Sequence, residues 1–264
     1  MLNIHPLFSS SSGNMFHIES NKSNILVDVG VTYKSAVDGL KSIDKTMSDI
    51  SGIILTHEHI DHIKALPLIC RKNNIPIYAC GKTADYIKEM LDEKNISADI
   101  IKTYYGQPFK INDFEITPFE TSHDAVMPCG YKIKTNEASI GFATDLGYVS
   151  EEVFEYLSSN DYIIVESNYD NVMLDFGKYP YNLKRRIKSD LGHLSNEDTS
   201  DLICKLYDKG KDRFLIAHLS QNNNTSEMAL STIYDKMLNK NIDKSLIELN
   251  VATKELSSEV ISVC

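Results

Sequence analysis

Residues 55–62 read LTHEHIDH, which puts His57, His59, Asp61 and His62 within one short stretch. Imidazole nitrogens and carboxylate oxygens at this density are donors for a divalent cation. With no cysteine among them, they suit zinc, manganese, iron or nickel rather than a thiolate-seeking ion, and zinc or manganese best. A solvated polar loop is the bland alternative, but it gives no reason for the donors to begin where the apolar run GIIL stops. His57 and His59, two apart in extended chain, project the same way. Asp61 and His62 open the next helix and face a second point nearby.

One loop rarely completes a pair of sites, so further donors are expected at other strand ends. His123 follows FEITPFETS, Asp145 follows ASIGFAT and His218 follows RFLIA. Each is a polar group capping an apolar run, as at His57. Together they complete one site from His57, His59, His123 and Asp145, and a second from Asp61, His62, Asp145 and His218. A carboxylate can offer one oxygen to each of two ions, so Asp145 is the natural bridge. Two ions about 3.5–4 Å apart make a shared water acidic enough to attack near neutral pH. Asp61, beside the second ion, can orient that hydroxide as well as bind.

The elements that must position these groups alternate in two halves. Strand-like runs cover 2–8, 14–20, 24–30 and 52–56, then 114–121, 129–135, 138–144, 161–167, 213–219 and 245–251. The stretches 9–14 (SSSSGN) and 20–24 read as turns, and the first offers backbone amides that could sit near the site. Helical spacing appears over 61–73, where Pro67 can bend the chain. It returns over 81–95, with Thr83 as the start and Tyr86, Ile87, Met90 and Leu91 as the apolar face. A capping pattern, Ser195 with Asp198, opens a helix over 195–210. The last, over 225–239, presents Leu230, Ile233, Tyr234, Met237 and Leu238 as a buried stripe. Two strand-rich halves with flanking helices predict a four-layer αββα sandwich rather than a doubly wound sheet.

HEHIDH followed by His123, Asp145 and His218 in that order resembles the signature of the metallo-β-lactamase fold superfamily, over nearly the whole chain. The resemblance implies that Asp28, in LVDVG, hydrogen-bonds the histidine loop and orients it. It leaves the reaction open, because this fold hosts lactamases, thioester hydrolases, oxidoreductases and nucleases. DYIIVESNYD and LGHLSNEDT resemble the acid and histidine motifs of its nuclease branches, the β-CASP nucleases and the tRNA 3′-processing ribonuclease. There, the likeness implies, His193 meets the substrate phosphate and Glu166 supports it. Phosphodiester cleavage needs such a group because the leaving alkoxide must be protonated. Lys184, Arg185, Arg186 and Lys188 form the most basic stretch and read as a phosphate track, with a solvated helix face as the alternative.

Too few residues separate Glu166 from His193 for a β-CASP insert. Compact size, with SSSSGN, SHDAVMPCGY, GHLSNED and HLSQNNNTSEMA, resembles the YycJ/WalJ family of small bacterial nuclease-like proteins. That likeness implies a DNA exonuclease, acting on duplex DNA from the 5′ end. The alternatives are a thioester or lactam hydrolase of the same fold, and a metal-bound regulatory protein without turnover.

Bulk properties bound these readings. At 264 residues, with no repeat and no Pro/Gly-rich linker, residues 1–264 read as a single domain. A formal charge of −10 excludes broad non-specific adhesion to nucleic acid, so any contact with phosphate must be local. There is no long apolar run for a membrane and no basic n-region at the start, and no obligate protein partner is evident. Cys70, Cys80, Cys129, Cys204 and Cys264 form no CxxC pair, which fits a reducing cytoplasm.

Overall fold

The computed structural model describes residues 2–253, 256 and 260–263. Cys264, the fifth of the cysteines, lies outside them. The first half contains strands β1 (Asn3–Phe8), β2 (Met15–Glu19), β3 (Asn24–Val27), β4 (Gly52–Leu55), β5 (Ile77–Cys80) and β6 (Ile100–Thr103). Its helices are α1 (Tyr33–Ser42), α2 (Ile60–Ile63), α3 (Leu66–Lys72) and α4 (Gly81–Asp92). The second half contains β7 (Phe109–Ile111), β8 (Phe114–Glu120), β9 (Cys129–Lys134), β10 (Ser139–Ala143), β11 (Tyr162–Glu166), β12 (Arg213–Ala217) and β13 (Glu248–Val251). Its helices are α5 (Glu151–Ser158), α6 (Asn171–Phe176), α7 (Tyr181–Ile187), α8 (Asn196–Asp208) and α9 (Ser226–Asn239). A short β14 (Ile261–Ser262) returns to pair with β1.

Two mixed sheets result, in the orders β14-β1-β2-β3-β4-β5-β6 and β13-β12-β11-β10-β9-β8-β7. Strands β3 to β6 run parallel to one another, as do β10 to β13. Parallel strands are covered on both faces, which is why GIIL and YIIVE are buried throughout instead of alternating. Ile4, Phe16, Val27 and Ile54 of one sheet meet Phe114, Tyr131, Phe142 and Ile164 of the other in a shared core. Outside it, α1, α3 and α4 cover the first sheet with Leu40, Ile69 and Ile87. Helices α5, α8 and α9 cover the second with Leu157, Ile203 and Ile233. The layers are helix, sheet, sheet, helix, as the alternation of apolar runs predicts.

Local expectations fail in four places. The helix over 61–73 is two short helices, since Pro67 lies in the first turn of α3, where its missing N–H is harmless, and so restarts the helix rather than bending it. Thr83 does not start α4; it lies inside the helix, buried, with its hydroxyl donating to the Met127 carbonyl. Tyr86 and Leu238 are 44% and 74% exposed, so neither belongs to its buried stripe. The helix spacing allowed both, but the buried faces are made by Ile87 and Leu91 on α4 and by Ile233 and Met237 on α9. No helix among the described residues is long and apolar enough to cross a membrane.

Burial separates the consequences of two similar truncations. Ile54→Ala empties space in the inter-sheet core, where such losses run to about 2–5 kcal/mol. Leu238→Ala, on the exposed flank of α9, is expected to cost under ~0.5 kcal/mol. Denaturant midpoints of the two variants check this, and equal shifts would contradict the layer assignment.

Candidate metal centre

The donors gather along one edge of the sandwich, because the strands that precede them all end there. Asp28 follows β3, Thr56 and His57 follow β4, His123 and Asp145 lie just past β8 and β10, Glu166 closes β11, and His218 follows β12. Asp28, Asp145 and His218 have φ of 59°, 60° and 54°, a left-handed conformation that ends each strand in one step. For residues other than glycine that costs on the order of 1–3 kcal/mol and persists only where the surroundings enforce it. Gly30 has the opposite task. A Cβ there would lie 1.6 Å from the Asp61 carbonyl oxygen, so only glycine lets the chain after β3 pack against the start of α2. The Val29 amide then donates to the His62 carbonyl at 2.8 Å, which pins the second half of HEHIDH.

Two groups of donor atoms converge. His57 Nε2 and His123 Nε2 lie 3.0 and 3.3 Å from His59 Nδ1. Asp61 Oδ2 lies 3.6 Å from His62 Nε2 and 3.7 Å from His218 Nε2. Asp145 stands between them, with Oδ2 3.5 Å from His62 Nε2 and Oδ1 3.8 Å from His123 Nε2. Every donor named from the sequence is therefore in the cluster. Both groups have the compactness of a cation site.

The rest of the hydrogen bonding fixes which nitrogen faces inward. His62 Nδ1 donates to Asp28 Oδ2 at 2.7 Å, and His218 Nδ1 to Glu166 Oε2 at 3.2 Å. The Gly192 carbonyl takes His123 Nδ1 at 3.0 Å. The Thr56 hydroxyl, which donates to Asp28, accepts from His57 Nδ1, also at 3.0 Å. Each bond places a proton on Nδ1 and leaves the Nε2 lone pair for a cation. Asp145 Oδ2 and His218 Nε2 are buried with no hydrogen-bond partner. Two orphaned acceptors aimed into one cluster are costly in a dry interior unless a cation completes them.

Charge tells the same story. Burial pushes His57 well below the ordinary histidine value, with His62 adding to it, and lowers His123 in the same direction. Burial opposes protonation of His62 too, but the Asp145, Asp28 and Asp61 carboxylates outweigh it and raise that imidazole to about 9. His218 is raised well above its usual value against the same penalty, chiefly by Asp145, Asp61 and Glu166. Asp145, despite complete burial, is held well below the usual carboxylate range by His218, His62 and the other imidazoles around it. The carboxylates keep protons on two histidines where a divalent ion would otherwise balance their charge.

Glu166 is fully buried rather than solvated. Its Oε1 accepts the amides of Leu146 and Leu194 at 2.6 and 3.1 Å, and its Oε2 accepts both His218 Nδ1 and His193 Nδ1, the latter at 3.1 Å. With every lone pair engaged, Glu166, His193, His218 and Asp145 make a hydrogen-bonded bracket and not a further cation site. His193 stands across from the donors, 3.8 Å from Asp145 Oδ1, with its side chain 15% exposed against 1% for His123 and His218. Gly192 allows this approach, since a Cβ there would meet the Ile187 carbonyl at 2.1 Å.

The basic stretch is partly spent on the protein itself. Arg186 grips Asp124 through two bonds, one of 2.8 Å, and Lys188 pairs with Asp175 Oδ1 at 2.6 Å. Lys184 donates to the Asp175 carbonyl at 2.8 Å. Of the four expected phosphate contacts, only Arg185 has no side-chain bond of this kind. The motif search missed Asn14, whose amide lies 3.2 Å from His62 Nε2, and Ser9, whose hydroxyl accepts the His218 amide at 2.8 Å. The SSSSGN loop therefore reaches the site through side chains rather than free amides. Its closeness to Gly30 and His218 cannot be read along the chain.

An αββα sandwich with this donor edge defines the metallo-β-lactamase fold. The profile of the beta-lactamase superfamily domain matches residues 23–218. Exodeoxyribonuclease YycJ of Bacillus anthracis is 35% identical over 238 residues, covering 88% of each chain. Exodeoxyribonuclease WalJ of Streptococcus pneumoniae is 34% identical over 232 residues, covering 88% of this chain and 86% of its own. Within the superfamily, the chain belongs to the YycJ/WalJ family. Among solved structures, the metallo-β-lactamase fold protein YhfI of Bacillus subtilis superposes with a TM-score of 0.70 at 16% identity, over 98% of both chains.

Two outcomes follow from the bonding of His62. Metal must displace the protons that the carboxylates hold on His62 and His218, so apparent affinity for zinc or manganese is expected to rise with pH up to at least about 9. A competition titration against a chelator reads this directly. Asp28→Ala removes the acceptor that fixes His62 and is expected to weaken metal binding about 10–100-fold. Unchanged affinity in that variant would refute the orienting role of Asp28.

Proposed function

We propose that the chain is a metal-dependent exodeoxyribonuclease that shortens duplex DNA from the 5′ end. The observation that carries this reading is the Glu166–His193 pair beside the donor cluster. Lactam or thioester hydrolysis has little need of a second, solvent-reachable histidine there, whereas a phosphodiester must have its leaving oxygen protonated. The names of the YycJ and WalJ relatives support the same assignment. We read residues 1–264 as one domain, since both sheets contribute donors, and place the protein in the cytoplasm with its DNA. Cys70, Cys80, Cys129 and Cys204 are all free.

In this reading His57, His59, His123 and Asp145 hold one divalent ion, and Asp61, His62, Asp145 and His218 a second, with zinc or manganese preferred. Bound there, the ions supply a nucleophilic hydroxide near neutral pH and neutralise charge on the phosphoryl oxygens. Asp61 accepts a hydrogen bond from the attacking group and aligns it with phosphorus. Glu166 accepts the Nδ1 proton of His193 and fixes the ring, so that Nε2–H is presented to the phosphate. As charge builds on the departing oxygen, His193 delivers that proton, and Glu166 stabilises the imidazolium beforehand. Arg185, exposed on α7, is the cation of the basic stretch left to meet a neighbouring phosphate. Arg186 reaches one only by exchanging Asp124 for it.

End-labelled single- and double-stranded DNA and RNA, offered to metal-free protein with manganese, zinc or magnesium restored, test the assignment. Duplex DNA with a 5′ label is expected to release mononucleotide or short products only when metal is present. His193→Ala is expected to lower kcat about 10²–10⁴-fold with metal content unchanged. Asp61→Ala should lose both activity and part of the metal. A wild type that cleaves no nucleic acid but hydrolyses a thioester would end the nuclease reading.

A further inference from the structure

A cavity of about 890 Å³ opens beside the donor cluster, with His123 in its wall. It lies between the loop after β8, the start of α4 and the loop that leads into α5. Its volume is in the range of small-ligand sites and is ample for a nucleotide. Neither the donor cluster nor the Glu166–His193 pair uses it.

Its lining is unusual for an open surface. Tyr148, Leu191 and Val126 are 49%, 52% and 46% exposed, and all three border this one cavity. Large apolar groups left in water around a concave site mark a place where something flat and apolar docks. Tyr148 also lines a second cavity of about 620 Å³, as do Ser150 and Glu151, so the segment leading into α5 borders both. The polar groups around the rim are mostly acidic, with Glu120, Glu151 and Glu152 against Lys82. That balance repels phosphate but can accept hydrogen bonds from exocyclic amines.

The wall is also braced. The Ser122 hydroxyl donates to the Asp190 carbonyl, the Asp124 amide donates to the Leu191 carbonyl at 3.1 Å, and Arg186 clamps Asp124. These bonds tie the loop after β8 to the loop before His193, so the cavity wall is linked to the segment that carries His193. A base on the sugar next to the phosphate at the site lies within one nucleotide's reach of His123.

We propose that this cavity is a nucleobase subsite, in which a base adjacent to the scissile phosphate stacks on Tyr148 between Leu191 and Val126. The proposal rests on the nuclease reading and adds to it a reason for the enzyme to act on nucleotides rather than on any phosphodiester. Stacking of this kind tolerates every base, because each presents a π-face, so sequence preference is expected to be weak. Tyr148 is a positioning residue here: it holds the base, and so sets where the phosphate sits.

The test compares an oligonucleotide duplex with the same duplex carrying an abasic residue on one side of the cleaved phosphate, then on the other. Wild type is expected to favour the intact nucleotide about tenfold in kcat/KM on one of the two sides. Tyr148→Ala should collapse that ratio toward one, mainly through KM, while Tyr148→Phe, which keeps the ring, should retain it. Val126→Trp, which fills the cavity, should reduce the ratio as Tyr148→Ala does. Equal cleavage of intact and abasic duplexes by wild type, or an undiminished ratio in Tyr148→Ala, overturns the subsite while leaving the nuclease reading in place. If wild type cleaves neither duplex, the nuclease reading itself fails, and the subsite with it.

Discussion

A dry interior does not tolerate a nest of imidazoles without carboxylates to set their protons, and the rest of the site depends on how that demand is met. Each sheet supplies one buried acid for the purpose. Asp28, at the end of β3, takes His62 Nδ1, and Glu166, at the end of β11, takes His218 Nδ1. His62 is thereby turned with Nε2 toward Asp61 and Asp145, and His218 with Nε2 toward Asp61. Glu166 extends the pattern by holding His193 with the same oxygen, so one carboxylate orients a buried histidine of the cluster and the more exposed histidine beside it. A change at Glu166 would therefore be felt at both rings.

This arrangement needs both sheets in register, and the fold provides specific ties for that. From β9, the Tyr131 hydroxyl donates to the Leu55 carbonyl at 2.6 Å, and the Cys129 amide donates to the Thr56 carbonyl at 3.0 Å. Both reach across the core to the last residues of β4, directly before His57. The left-handed residues at Asp28, Asp145 and His218 are the local cost of ending three strands at the same line. Packing in the shared inter-sheet core makes that cost bearable, so stability and site geometry are coupled.

Substrate charge is handled by few groups in an acidic protein. Most of the cations on α7 and just after it are engaged with Asp124 and Asp175, and these bonds also shape the loops beside the site. That leaves Arg185 as the one cation of this stretch with no side-chain bond among the described residues. An acidic surface elsewhere discourages DNA from binding unproductively.

Much of this was legible in the sequence, because the signals are local. A polar residue directly after an apolar run marks a strand end, and strand ends of parallel strands share an edge; His57, His123, Asp145 and His218 were found that way. The alternation of apolar runs likewise gave the four layers. Local pattern failed where the surroundings in the fold decided the outcome: Leu238 and Tyr86 are left exposed, and Thr83 is claimed by Met127. The sequence alone determined which donors exist and which elements carry them, since side-chain chemistry and hydrophobic period are properties of short segments. Only the tertiary structure decided that Glu166 serves two histidines, that Asp124 and Asp175 occupy the basic stretch, and that Tyr148 stands over a cavity beside His123. Each of these depends on distances between segments that the fold alone brings together.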